Sequence, residues 1–317
     1  MERSVRFFCY SSLMPPSLQV FLLLFILGAA LRFSSVLTKA HAEHLATIVF
    51  SFSLPATILV SLDRTPLTAT AWKLPMAACL ITLPLLFFSW QTLRFFDLPR
   101  SAQGGFLLAT GCINSVFFAY PVVLATFGEE GLAHAVLFDV GQTALTLTVL
   151  YGIALRYGAR TPTGRPTAVR FLSSPPLWAL AVILGLKLGD LHLPSWLRAG
   201  LTPLHLTTTP LASLVLGLSI GFDAVRRSLS LTIAAVLIRM GGGFLLGASA
   251  VFLLNLNGLE RAIVMLVAGM PSAVTAVIFA AETQLDEELV ASIVALSLCV
   301  GVALLPTLPF LAARLIF

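Results

Sequence analysis

Charge is the scarcest thing in this 317-residue chain, because only 10% of its residues are Asp, Glu, Lys or Arg. Ordinary soluble domains carry roughly 25%. A soluble protein this poor in charge could not cover its surface with polar groups, so much of that surface must face hydrocarbon. Cysteine is sparse too. Cys9, Cys79, Cys112 and Cys299 have no metal-ligand spacing, and they read as small buried apolar residues, not as a disulfide frame or zinc site. The chain lacks a Walker-type nucleotide motif and an HExxH pair, which argues against ATP hydrolysis and metal-dependent proteolysis. It also lacks a basic stripe interleaved with exposed aromatics, so no nucleic-acid partner is expected and no cofactor is implied.

What is present is hydrophobicity, at 58% of residues with a mean hydropathy of +0.98. Apolar segments run over 17–35, 44–62, 71–93, 103–127, 131–156, 175–191, 199–222, 229–254, 259–281 and 288–316. They predict an all-α integral membrane protein of about ten spans, each of roughly 20 residues, with the lipid bilayer as its surroundings. Arg3 and Arg6 precede the run from Leu18 to Leu31 as in a signal peptide, but no small-residue cleavage site follows, so the run reads as the first span. Trp72, Trp90, Trp178 and Trp196 stand at span ends, where indoles anchor at the interface.

Basic residues set the expected orientation. Arg94, Arg100, Arg156, Arg226 and Arg227 fall on one side, together with Arg160, Arg165 and Arg170 of the central polar stretch. The positive-inside rule makes that side cytoplasmic and puts both termini outside a cell (inner) membrane. The expected organisation is 1–156 as a first five-helix repeat, 157–174 as a short basic loop, and 175–317 as a second repeat.

The halves echo one another. Ile26-Leu27-Gly28 recurs as Ile183-Leu184-Gly185, a displacement of 157. At that displacement Glu129-Glu130-Gly131-Leu132 meets Asp286-Glu287-Glu288-Leu289, while Pro55 has a near counterpart in Pro210. With about five spans per half, the second half enters from the opposite side, the inverted repeat typical of secondary transporters. Spans four and nine carry Asn114 with Pro121 and Gly269 with Pro271. Proline removes a backbone donor, so both spans are expected to be kinked or broken, and paired broken spans point to a central binding site. Ordinary proline kinks are the plainer alternative.

The stretches NSVFFAYP (Asn114 to Pro121), GEEGLAHAVLFD ending at Asp139, and MPSAVTAVIFAAE (Met270 to Glu282) resemble the auxin efflux carrier family. That family includes the plant PIN exporters and many bacterial permeases, and the short central loop is similar to the bacterial members. The resemblance implies two inverted five-helix repeats, with spans four and nine crossing at their prolines. It also implies a small organic anion, a carboxylate or auxin-like acid, bound near the crossing. Ala119 departs from the family pattern, which often has glycine before the Tyr-Pro pair.

On this reading Asn114, Tyr120, Pro121, Pro271, Ser272, Thr275 and Arg239 are candidate substrate-binding residues. Asn114 offers a donor and an acceptor, or alternatively an interhelical bond. Ser272 and Thr275 are cavity hydroxyls or close-packing residues. Arg239 either neutralises an anion, pairs with Asp139 or snorkels. Asp139, the acid deepest in a predicted span, and Gln142 one turn on are candidates for coupling to a proton or cation. His134, just before Asp139, is a candidate proton relay or an interfacial histidine. A sodium-coupled symporter of the related bile-acid carrier fold is the rival mechanism. An intramembrane enzyme would need facing carboxylates or a His/Glu constellation, which the sequence does not offer. Oligomeric state stays open between monomer and homodimer.

Overall fold

A computed structural model describes residues 15–65, 71–159, 173–220 and 229–307. The expectations for Arg3, Arg6, Cys9, Arg160, Arg165, Arg170, Arg226 and Arg227 lie outside the described residues. Among the described residues every regular element is helical. Seven helices are long and apolar enough to cross a membrane, and Pro175–Leu188 is apolar but shorter. Side chains such as Leu23, Phe87, Phe88, Leu245 and Phe252 are exposed on the outside, as a lipid-facing surface requires.

In chain order the α-helices are α1 (Pro16–Phe33), α2 (Lys39–Ile48), α3 (Leu54–Arg64), α4 (Lys73–Thr92), α5 (Arg100–Gly111), α6 (Tyr120–Leu145) and α7 (Tyr151–Tyr157). The second half continues with α8 (Pro175–Leu188), α9 (Ser195–Leu218), α10 (Leu229–Val236), α11 (Gly243–Leu254), α12 (Gly258–Ala268), α13 (Thr275–Thr283) and α14 (Glu287–Leu304). Wider π-helical turns join α2 to α3, α6 to α7 and α10 to α11, and another, Ser115–Ala119, leads into α6. Val49–Ser53 and Ser115–Ala119 sit just before Leu54-Pro55 and Tyr120-Pro121. A proline ring clashes with the carbonyl one turn back and offers no N–H, and a π turn absorbs both defects without ending the helix. Pro84, Pro203 and Pro210 lie inside α4 and α9, which also continue. Within α6, Gly128 (φ 69°, ψ −163°) is non-helical and divides the 43-residue apolar stretch Ser115–Tyr157.

The helices pack in two groups. Helix α9 lies along α1, α2 and α3, and α8 packs on α3. The rest gather around α4, α5 and α6, with α12 against α6 and α4, and α14 against α5 and α10. Helices α1 and α9 approach backbone to backbone at Gly28 and Gly217, where an added Cβ would meet the carbonyls of Leu214 and Phe25. Without a hydrophobic force between helices in lipid, such close contact of small residues holds helices together. The groups meet where α9 reaches Ser115–Ala119 and where α3, α1 and α9 touch α6.

Two helical stretches are interrupted. One stops at Gly111 and resumes at Ser115, and the other stops at Ala268 and resumes at Thr275. Of the two prolines expected to mark the crossing, Pro271 lies within its interruption. Pro121 lies in the first turn of α6, inside continuous helix.

Candidate functional site

The site starts from a problem of unpaired backbone. The last four carbonyls of a helix have no partner within it, and in a membrane interior each unpaired group is costly. Helix α5 ends deep in the protein, and its last four carbonyls are all met. The Cys112 N–H donates to the Leu108 carbonyl (3.0 Å), and the Ser272 hydroxyl donates to that of Ala109 (2.5 Å). Arg239 Nη1 donates to the Thr110 carbonyl (3.2 Å), and Gln142 Nε2 to that of Gly111 (3.1 Å). Arg239 Nη2 also donates to the Ala268 carbonyl (2.5 Å), the last of α12. One guanidinium thus sits between the negative ends of two helix dipoles.

The interrupted strands of backbone cross there. Ile113 and Ser272 form an isolated antiparallel bridge. The Asn114 N–H donates to the Pro271 carbonyl (3.0 Å), and the Ala273 N–H to that of Cys112 (3.1 Å). Asn114 Nδ2 reaches the Ser272 carbonyl at 3.4 Å, and Ser297 Oγ accepts from the Ser272 N–H at 3.1 Å. An added Cβ at Gly301 would strike the Pro271 ring and Phe118, so α14 packs directly on the crossing.

Beside the crossing is a cavity of about 360 Å³. It is lined by Asn114, Ser115, Phe117, Ala273 and Thr275 at the crossing, and by Tyr120, Asp139, Gln142, Thr143 and Thr146 along α6 and the turn after it. Phe50, Leu54 and Ile58, with Ser174, Leu177 and Leu180 at the start of α8, complete the lining. Residues of both helix groups therefore line it, and it reaches Ser174 at one end of the molecule. The Asp139 carboxylate accepts from Tyr120 Oη (3.2 Å) and Thr143 Oγ1 (3.5 Å).

The residues expected from sequence separate into two sets. Asn114, Tyr120, Thr275, Asp139 and Gln142 line the cavity. Pro121, Pro271, Ser272 and Arg239 do not, and they are buried around the crossing. Arg239 is wholly buried and bonds to the Thr110 and Ala268 backbone carbonyls, not to Asp139. Gln142 is already engaged, since its Oε1 accepts from Thr82 Oγ1 at 2.7 Å while its amide holds Gly111. His134 Nδ1 bonds the Glu130 carbonyl (2.7 Å), one turn back along its own helix.

Two polar clusters escaped the sequence reading. Asp63, buried at the end of α3, pairs with Arg198 and accepts from the Leu193 N–H (2.9 Å). The predicted span 44–62 stops one residue short of Asp63. Glu129 stands in the repeat, and His205 falls within the predicted span 199–222. They meet at 2.9 Å across the two helix groups. His205 lies in an apolar span, which is the signal that could have singled it out.

The chain matches the model of the membrane transport protein family over residues 12–311. It is 31% identical over 290 residues to an uncharacterized transporter of Methanothermobacter thermautotrophicus, covering 90% of this chain and 94% of that one. It is 29% identical over 290 residues to an uncharacterized transporter of Methanocaldococcus jannaschii, covering 86% and 90%. The chain therefore belongs to the membrane transport protein family, the auxin efflux carrier group that its motifs resemble.

Proposed function

We propose that this chain is a secondary transporter that moves a small organic anion, such as a carboxylate or auxin-like acid, by alternating access around the crossing. The observation that carries this reading is the cavity placed directly on two interrupted helices. Ser115 and Thr275 begin the helical segments that leave the crossing, and both line the cavity. Helix N-termini carry partial positive charge and unpaired N–H groups that favour a carboxylate, and Asn114 beside them adds an amide donor. The Ser272, Arg239 and Pro271 roles on this reading are to hold that geometry from behind.

Counting each interrupted stretch as one crossing, and dividing the long stretch at Gly128, gives ten spans in two inverted five-helix repeats, 1–156 and 175–317. Spans one, two, six and seven form one group and the others the second, and rocking between them opens the cavity to alternate sides. The central loop is cytoplasmic, so the cavity opens inward here. Asp139, held by Tyr120 and Thr143, exchanges a coupling proton or cation with the open side, and Gln142 braces the crossing next to it.

The test is uptake of radiolabelled indole-3-acetate, succinate and malonate by proteoliposomes, with and without a sodium gradient. At least one carboxylate should accumulate, and Asn114→Ala should lose more than tenfold of the rate. Acceleration by sodium would reassign the coupling to the bile-acid carrier type. Unchanged transport by Asn114→Ala would remove the crossing as the binding site.

A further inference from the structure

The end of the molecule remote from Ser174 is tied shut by a polar contact that no part of the cavity uses. Glu129 follows the non-helical Gly128 on α6, while His205 is buried on α9 and Ser61 on α3. His205 Nε2 lies 2.9 Å from Glu129 Oε1, and Ser61 Oγ donates to Glu129 Oε2 (3.1 Å). His205 Nδ1 lies 3.2 Å from Thr57 Oγ1, which is 2.7 Å from Thr208 Oγ1, and both hydroxyls reach the Ser53 carbonyl. One residue on, Leu54 lines the cavity. Glu129 belongs to one helix group and every one of its side-chain partners to the other.

The protonated ring donates from both nitrogens, to Thr57 Oγ1 and to Glu129 Oε1 at once, while the Thr57 hydroxyl stays on the Ser53 carbonyl. The neutral ring has one N–H, so it keeps the Glu129 bond only if the Thr57 hydroxyl turns from Ser53 to Nδ1.

We propose that Glu129 and His205 form a proton-binding latch between the two helix groups. Bound proton tightens the contact that closes the end remote from Ser174, and loss of the proton weakens it. The proton exchanges with solution at that end, because the Glu129 side chain is 35% exposed while that of His205 is only 2% exposed. A group that binds one conformation only shifts the equilibrium toward it, so acid on that side favours the conformation seen here and alkali favours opening. This inference rests on the alternating-access reading.

Other charges surround the pair. Arg64 on α3 adds a positive field at Glu129 across the whole pH range tested. Helix α12, packed on α6, carries Glu260 and Arg261 in its first turn. On α6, Glu130 and His134 bond to each other through the Glu130 carbonyl. Arg198, His192 and Lys187 are gathered at Asp63 and Thr65. Arg32, His41, Glu43 and His44 lie toward the other end of α1 and at the start of α2. The repeat mate of Glu129 behaves differently. Asp286, 157 residues later, caps its own helix by accepting the Leu289 N–H (3.0 Å).

The test uses maleimide labelling of Thr126→Cys, a buried position just before Gly128, in the full chain with its four native cysteines replaced by alanine. Rates are divided by those of an exposed reference, Trp196→Cys, to remove the intrinsic pH dependence of thiols. The relative rate should rise at least fivefold between pH 5.5 and 8.5. His205→Asn should label fast at both pH values, and the swap Glu129→His with His205→Glu should restore slow labelling at pH 5.5. A His205→Asn protein with the parent's rates and pH response overturns the latch. So does labelling that stays slow throughout while the vesicles take up indole-3-acetate. Proteoliposomes that carry no carboxylate, yet show the pH-dependent labelling, would instead count against the proposed cargo and leave the latch standing.

Discussion

Replacing Arg239 by methionine tests how the crossing is held. The guanidinium donates to the Thr110 and Ala268 carbonyls, and its side chain is wholly buried. Methionine fills similar volume and brings no donor, so both carbonyls lose their partner. Each unsatisfied buried acceptor costs about 1–3 kcal/mol. Removing the buried charge returns part of its desolvation cost, which is several kcal/mol in real proteins. The two carbonyls together cost about 2–6 kcal/mol, and the returned desolvation brings the net loss to about 1–3 kcal/mol. At roughly 2 °C per kcal/mol for a chain of this size, Tm should fall by about 2–6 °C. The assay is thermal unfolding of the purified protein in detergent, followed by tryptophan fluorescence, with carboxylate uptake in parallel. Arg239→Lys keeps the charge but not the planar fork, so it reaches one carbonyl and should recover about half of the loss. An Arg239→Met protein with the parent's Tm and uptake rate would refute the clamp.

Other expectations follow from the same geometry. Gln142→Leu frees the Gly111 carbonyl and the Thr82 hydroxyl. It should cost about 1–3 kcal/mol, readable as a lower Tm. Asp139→Asn keeps an acceptor for Tyr120 and should leave Tm within about 1 °C, because only a titrating charge is lost. Its uptake should keep only the pH dependence set by Glu129 and His205, and an unchanged pH profile would remove Asp139 from coupling. Asp63→Asn uncouples a buried carboxylate from Arg198, which is one-third exposed, and should destabilise by about 1–2 kcal/mol. Gly217→Leu forces a side chain against the Phe25 carbonyl and should prise α1 from α9, giving a protein that unfolds early or fails to accumulate.

Hydropathy made the helices legible, because a chain that cannot cover itself with charge announces its spans. The displacement of 157 also proved informative at the site, for it relates Asn114 to Pro271, and their backbones are bonded. The register of the interruption was not legible. A sequence displays the missing donor of Pro121 but not the π turn that absorbs it, so the break shifts to Cys112–Asn114. Arg239 was visible as a buried cation, yet its partners are carbonyls, which every residue carries and no motif marks. Glu129 and His205 lie 76 residues apart, and only the packing of α6 on α9 brings them together.

The two chain segments at the crossing are pinned by main-chain atoms, through the Asn114 to Pro271 and Ala273 to Cys112 bonds. Those bonds are indifferent to which side chains flank them. Val116, Phe117 and Thr275 line the cavity and take no part in those bonds. A scaffold of this kind separates architecture from taste: selection can retune which molecule fits while the joint beneath it stays as it is.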